Sequence, residues 1–341
     1  MNYKDRKTNI PVLLLYNIDP CWELAEQQYA SMGAEKLTNE LQHEGHPVIH
    51  IPVFNKSLCE LLIKFNHNNY VVFNWCEELP GQNHSESKVA QILEEYHFTF
   101  TGSSSNVIAL SWDKALTKNI LMYKNIPTPT GCIINDNNLD SWNKFPAIVK
   151  LAFEHCSVGI NEDAVVTNKN ELNQRYNYMK ETYTQPVIVE DFLDGREFHV
   201  TVWGNGTIQT LPVAEFDFSS FTDIKQHICT YSSKFVPGSS HYENISVTIP
   251  AKLNQSQLDT LNAIAIEAYK ALGCRDYARI DIREKNDMFY VIDVNPNPDF
   301  SPDTSSIYAG EIAGMSYGAM ASYIVNLAAL RHPVFSKYIY N

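Results

Sequence analysis

The chain has 341 residues, 44% of them hydrophobic and 19% charged, which is room for two or three packed modules of ordinary globular composition. Its net charge of −13 excludes the basic stripe of a broad nucleic-acid surface, so any phosphate site must rest on a few local cations. Seven scattered cysteines without a Cys-x-x-Cys pair point to neither a disulfide framework nor a zinc site; with no secretory segment and no apolar run near ~20 residues, a soluble cytoplasmic protein without a membrane partner is expected.

The first hundred residues alternate strands and helices. Apolar runs at 11–16, 48–53 and 70–74 read as strands, and 23–43, 56–65 and 86–96 as helices, with Gly45 ending the first. This order predicts βαβ units and a parallel sheet, a small doubly wound domain over 1–103. Its ligand edge is expected at the strand C-termini, around 17–21 and 74–82. Glu77, Glu78 and His84 fall at the second loop; a solvated acidic loop is the other reading of each.

A run of potential N-caps at 101–106 then opens a helix from Val107 that carries Asp113, Lys114 and Lys118 and stops at Ile126-Pro-Thr-Pro. Residues 145–150 read as a strand ending in Lys150. The loop Glu154-His-Cys-Ser-Val-Gly159 follows, with Ser157 and Gly159 where backbone N–H groups can face an anion. It is not a Walker A loop. A helix over 171–181 and a strand over 186–193 lead to Gly195-Arg-Glu197. A hairpin is expected from 198–203 and 207–213 about Gly204-Asn-Gly206. Residues 216–240 have no period, and a loop this long is usually functional. A strand over 245–249, a helix over 255–272 ended by Gly273 and a last helix over 311–330 complete the order.

Between those last helices lie two period-two segments, 277–283 and 289–295, joined by a short polar turn. Tyr277, Arg279, Asp281 and Arg283 share one face of the first. Asp293 and Asn295 share a face of the second, backed by Tyr290, Ile292 and Val294. If the strands pair, Arg279, Asp281, Asp293 and Asn295 meet on one surface. Two carboxylates and an amide oxygen suit a hard cation such as Mg²⁺, and an arginine beside them offers a fork for a phosphate or oxyanion. A solvated surface hairpin is the other reading of these charges. The loop Asn295-Pro-Asn-Pro-Asp-Phe-Ser-Pro-Asp303, stiffened by three prolines, favours a substrate wall.

Arg-Ile-Asp, a strand, then Asp-Val-Asn-Pro-Asn-Pro resembles the metal-binding end of the ATP-grasp ligases, the D-alanine–D-alanine ligase-like members above all. Thr-Gly-Ser, a helix with Asp-Lys-x-x-x-Lys, and Pro-Thr-Pro resemble that family's linker into its nucleotide half. The resemblance implies an ATP-grasp fold, α/β with an α+β nucleotide-binding half, divided at 1–103, 104–190 and 191–341. It implies ATP and Mg²⁺ as cofactors, with Mn²⁺ an alternative ion. Asp281, Asp293 and Asn295 would hold the metal. Lys114 and Lys150 would meet ATP phosphates under a loop with Glu154, Ser157 and Gly159. Glu190 and Leu193 would read the adenine edge, and Glu197 the ribose. Arg279 and Lys234 would serve the chemistry. The implied reaction joins small-molecule carboxylate and amine substrates through an acyl phosphate, with no nucleic-acid partner; a homodimer stays open.

Three departures bear on the substrate. Asn74-Trp-Cys-Glu-Glu-Leu-Pro-Gly81 stands where the resemblance expects His-Gly and Gly-Glu-Asp-Gly. His155-Cys156-Ser157 replaces Gly-Ser-Ser, and Lys234-Phe235 replaces Lys-Tyr. A ligase for another amino acid or a small peptide is therefore expected over a D-alanine–D-alanine ligase of cell-wall synthesis. A catalytically silent nucleotide-binding protein on the same fold is the alternative from another class; the intact Asp281, Asp293 and Asn295 set argues against it.

Overall fold

The computed structural model describes residues 9–54 and 57–339. Four parallel strands come first, in the order Val48–Val53, Val12–Asn17, Val71–Trp75, Thr99–Phe100. Successive residues of the central strand face opposite layers: Val12 and Leu14 join one core cluster, Leu13 and Leu15 another. The first layer is closed by the helix Leu24–His43 together with Ile324, Val325 and Ala328 of Tyr317–Ala329, from the far end of the chain. The second takes Val89 and Leu93 of the helix Glu86–Glu95 and Ile108 of the next helix. The short helix expected over 56–65 is Leu58–Leu62; Lys56 lies outside the described residues.

Two antiparallel sheets follow. One has the order Gly131–Ile134, Val187–Asp191, Ala147–Leu151, Val165–Val166, backed by the helix Lys169–Thr182. The other runs Ser246–Thr248, Ala214–Asp217, Glu197–Trp203, Tyr277–Lys285, Met288–Asn295. The helix Gln255–Leu272 lies on it, with an Asn254–Gln257 capping box and Gly273 left-handed at φ 77°. Thr128 Oγ1 donates to the Val291 carbonyl at 2.8 Å, and the Val291 N–H donates to Pro127 at 2.8 Å, tying the two halves together.

Several boundaries differ from the sequence reading, each for a local reason. The helix expected from Val107 breaks into Ser105–Trp112 and Lys114–Tyr123. Asp113 leaves the helical region and caps Leu116 at 2.9 Å, while the Lys114 N–H turns to Ala152 at 3.1 Å. The last helix is likewise two, Ser305–Ile312 and Tyr317–Ala329, interrupted by Gly314 at φ 83°. The second arm of the expected 198–213 hairpin is only Gln209–Thr210, since Pro212 has no N–H for a ladder; Ala214–Asp217 then pairs with Glu197–Trp203. Within 216–240 lies the helix Tyr231–Phe235, and Ser240–Asn244 follows it. Thr230 and Ser239 cap these helices, so residues that read as loop composition are N-caps.

The strands Tyr277–Lys285 and Met288–Asn295 pair as a hairpin, Arg279 opposite Asn295 and Asp281 opposite Asp293. Its turn is tighter than the sequence reading, Asn286 and Asp287 both left-handed at φ 53° and 59°. The alternation fails at one place. Ile282 pairs with Val291, leaving Ile292 as an extra, bulged residue. Phe289, Val291 and Val294 consequently face the core, and Ile292 turns with Asp293 toward the cleft that also takes Lys114, Lys118 and Glu190.

Candidate active site

The bulged hairpin supplies the first cluster. Arg279 grips Asp281 with both arms, Nε to Oδ1 at 2.7 Å and Nη2 to Oδ2 at 2.9 Å. Asn295 Nδ2 also donates to Asp281 Oδ2, at 3.2 Å. Across the register, Asp293 Oδ2 lies 3.6 Å from Lys114 Nζ, at the first turn of the helix that Asp113 caps. Burial would raise both carboxyls, but Arg279 at Asp281 and Lys114 at Asp293 outweigh it, and both end below the ordinary range. Both are therefore anionic at neutral pH. The charge of Lys234, on the exposed side of Tyr231–Phe235, adds to the lowering at Asp281. The side chain of Phe235 lies outside the described ones.

A second cluster lies beside the first. Glu190, 2% exposed, stands between Lys150 Nζ at 3.0 Å and Lys118 Nζ at 3.4 Å. Lys118 is itself 5% exposed and donates to Thr128 Oγ1 at 3.0 Å and the Pro129 carbonyl at 2.8 Å. Burial depresses the Lys118 pKa and would raise that of Glu190, yet the two lysines leave Glu190 below its ordinary value. Lys114, Lys118, Glu190, Ile292 and Asp293 line one cleft with Thr117, Leu121 and Thr128.

Glu197 and Leu193 form a third group around Arg283. The guanidinium donates to Glu197 Oε2 at 2.8 and 2.6 Å and to the Leu193 carbonyl at 2.8 Å. Arg283, expected beside Arg279, is thus consumed in a buried pair. Burial pushes the Glu197 carboxyl up; Arg283 and His199 bring it far below the usual range. His199 lies between the carboxylates of Glu197 at 3.7 Å and Asp281 at 3.8 Å, and joins this group to the first.

The loop over 154–159 is pinned from three directions. Glu154 Oε1 accepts from Gln185 at 2.8 Å and lies 3.0 Å from His84 Nε2 of the first domain. Ser157 Oγ donates to the Cys229 carbonyl at 3.0 Å. The Gly159 carbonyl accepts from Arg175. Cys156 and Ser157 are held left-handed, at φ 55° and 60°. His155 packs edge-on against Trp112 at 4.5 Å, and its Nε2 is buried without a partner among the described residues.

The structure thus gathers Arg279, Asp281, Asp293, Asn295 and Lys114 at one spot and sets Lys150 and Glu190 beside them. Glu197 and Leu193 reach it only through His199. Lys118, His199 and His155 were not singled out from sequence. For Lys118, on a helix, the missing information was Glu190, which lies on a strand far along the chain. The signal for His155 was its place in the loop over 154–159, beside Cys156, Ser157 and Gly159.

Among the described residues, no three His, Cys, Asp or Glu side chains form a metal-holding group. Two anionic carboxylates and an amide nevertheless fit Mg²⁺, which takes few protein ligands and completes its shell with substrate phosphates and water.

Comparison with known proteins bears on the family and the fold. The family described as D-ala D-ala ligase C-terminus matches residues 132–326, more than half of the chain. A D-alanine–D-alanine ligase of Pseudothermotoga lettingae is 26% identical over 304 residues, covering 89% of this chain and 95% of that protein. The uncharacterized protein y4sG of Sinorhizobium fredii is 27% identical over 307 residues, 88% of each chain. The solved D-alanine–D-alanine ligase from Bacillus anthracis complexed with ATP superimposes with a TM-score of 0.73 at 20% identity, over 96% of this chain and 99% of that one. The chain belongs to the D-alanine–D-alanine ligase C-terminal family and carries the ATP-grasp fold.

Proposed function

We propose that the protein uses ATP to phosphorylate a substrate carboxylate and then joins the acyl group to an amine, releasing ADP and phosphate. The observation that carries this reading is the register pair Asp281–Asp293, with Arg279 and Lys114 on the two carboxylates. Phosphoryl and acyl transfer need positioning and charge neutralisation more than a protein nucleophile. Lys114, Lys150 and Lys234 neutralise phosphate charge. Asp281, Asp293 and Asn295 would hold Mg²⁺, which would supply charge neutralisation at the phosphates. Arg279 faces the acyl phosphate and the oxyanion formed when the amine attacks. Glu190 and Leu193 take the adenine side, Glu197 the ribose, and Glu154, Ser157 and Gly159 hold the loop over the phosphates.

The three sheets support a division near 1–103, 104–190 and 191–341, although the strand Val187–Asp191 of the middle sheet runs one residue past the second boundary and the last long helix returns to the first domain. D-Alanine alone is not the best substrate: Cys156 and Phe235 lack two hydroxyls, and the 74–81 loop lacks the expected pattern. ADP release with D-alanine, against a pool of L-amino acids and dipeptides, tests this. Faster turnover with a pool member supports it. D-Alanine giving its dimer with nothing faster would return the chain to cell-wall synthesis, and no turnover with any acid would favour a silent binding protein.

A further inference from the structure

Between the first domain and the proline-stiffened loop lies a small cleft open to solvent, lined by Asn74, Trp75, Cys76, Glu77, Glu86, Tyr277, Asn297, Pro298 and Asp299. Three of these side chains are carboxylates. Among the described residues, no lysine, arginine or histidine comes within 4 Å of any of them in an ion pair. Tyr277 is a second, independent sign. It is 4% exposed, it lines the cleft, and its hydroxyl makes no hydrogen bond among the described residues. That hydroxyl is left to the cleft, with Glu86, Asp299 and Glu77 around it. The Trp75 indole donates to Asp299 Oδ1 at 3.4 Å, which fixes an aromatic wall beside that carboxylate.

We propose that this cleft takes the side-chain cation, an ammonium or guanidinium group, of a basic amino-acid substrate. The inference rests on the ligase reading and names its substrate class. A bare metal ion is the poorer occupant, because no three acidic, histidine or cysteine side chains among the described residues converge to hold one. An organic cation uses everything the cleft offers: three separated carboxylates, the free Tyr277 hydroxyl as acceptor, and the Trp75 and Tyr277 rings for cation–π contact. The cleft also lies next to the reaction centre in sequence, since Asn297 follows Asn295 by two residues.

Electrostatics agree. Burial, then repulsion from Asp299, Glu86 and Glu78, pushes the Glu77 carboxyl up to about 8. Burial pushes Glu86 up to about 7, with Glu78 adding a little, against hydrogen bonding from Trp112 and Asn297 that pulls it down. A cation entering at neutral pH therefore displaces protons.

The test is calorimetric titration of L-lysine and L-arginine against their uncharged counterparts L-norleucine and L-citrulline, with the ATP analogue AMP-PNP and Mg²⁺ present. Runs at pH 7.5 use two buffers of different ionisation enthalpy. Lysine or arginine should bind at least about tenfold more tightly than its counterpart, with proton release. Glu86→Gln with Asp299→Asn should remove that preference, and Tyr277→Phe should weaken it in a chain of unchanged melting temperature. Equal affinity for charged and uncharged compounds, a preference that survives Glu86→Gln with Asp299→Asn, or one undiminished in Tyr277→Phe, overturns the inference. Such a result leaves the ligase reading standing if the pool still drives ADP release; a pool that drives none defeats that reading instead.

Discussion

Asp293 and Arg279 test the reaction centre from opposite sides. Asp293→Asn removes one of the two carboxylates proposed for Mg²⁺ and leaves Lys114 facing a neutral amide. Turnover should nearly vanish while the circular dichroism spectrum stays that of the parent. Near-parental turnover at limiting Mg²⁺ would remove Asp293 from the metal site. Arg279→Lys keeps the charge and loses the planar fork that holds both oxygens of Asp281. The chemical step should slow by ~10²–10³, the usual cost of an oxyanion-type donor, with ATP affinity little changed. Single-turnover rates at saturating ATP separate the two; full rate with weak ATP binding would place Arg279 on the nucleotide.

At the scale of elements, the site depends on how a sheet and a helix meet. Lys150 comes from one strand, Glu190 from its neighbour and Lys118 from a helix, and together they bury a carboxylate with two cations. Lys150→Met should cost roughly 3 kcal/mol, because removing one partner of a buried pair leaves charge uncompensated. The sign in pH follows from Glu190. Its folded pKa is depressed, so its contribution is present above the unfolded value of ~4.3 and is lost as pH falls. The variant should therefore lose less stability than the parent between pH 5 and 3 in urea titrations. The antiparallel partnership that gathers Arg279, Asp281, Asp293 and Asn295 was legible because alternation sets faces. The bulge at Ile292 was not, since one extra residue alters register without altering composition. Nor was the break at Asp113, because an aspartate inside an apolar period looks like an exposed helical residue until its backbone is seen to turn out and cap.

Across the whole molecule, two sets of carboxyls pull stability in opposite directions. Asp281, Glu190 and Glu197 have depressed folded values and favour the native state above ~pH 4. Glu77 and Glu86, raised to about 8 and about 7, contribute stability that is full below ~pH 4 and is lost as pH rises through those values. The ligand-free protein should be most stable in mildly acidic solution, and Glu77→Gln with Glu86→Gln should flatten the decline between pH 5 and 8.5 in melting temperature. A decline unchanged by the pair would place its origin elsewhere. The reaction itself is tested most directly by following oxygen. With a pool of amino acids labelled with ¹⁸O in the carboxylate, transfer through an acyl phosphate carries one label from acid to phosphate. We expect ADP, amide and singly labelled phosphate in equal amounts. Unlabelled phosphate, or AMP with pyrophosphate in place of ADP, would contradict the acyl-phosphate route.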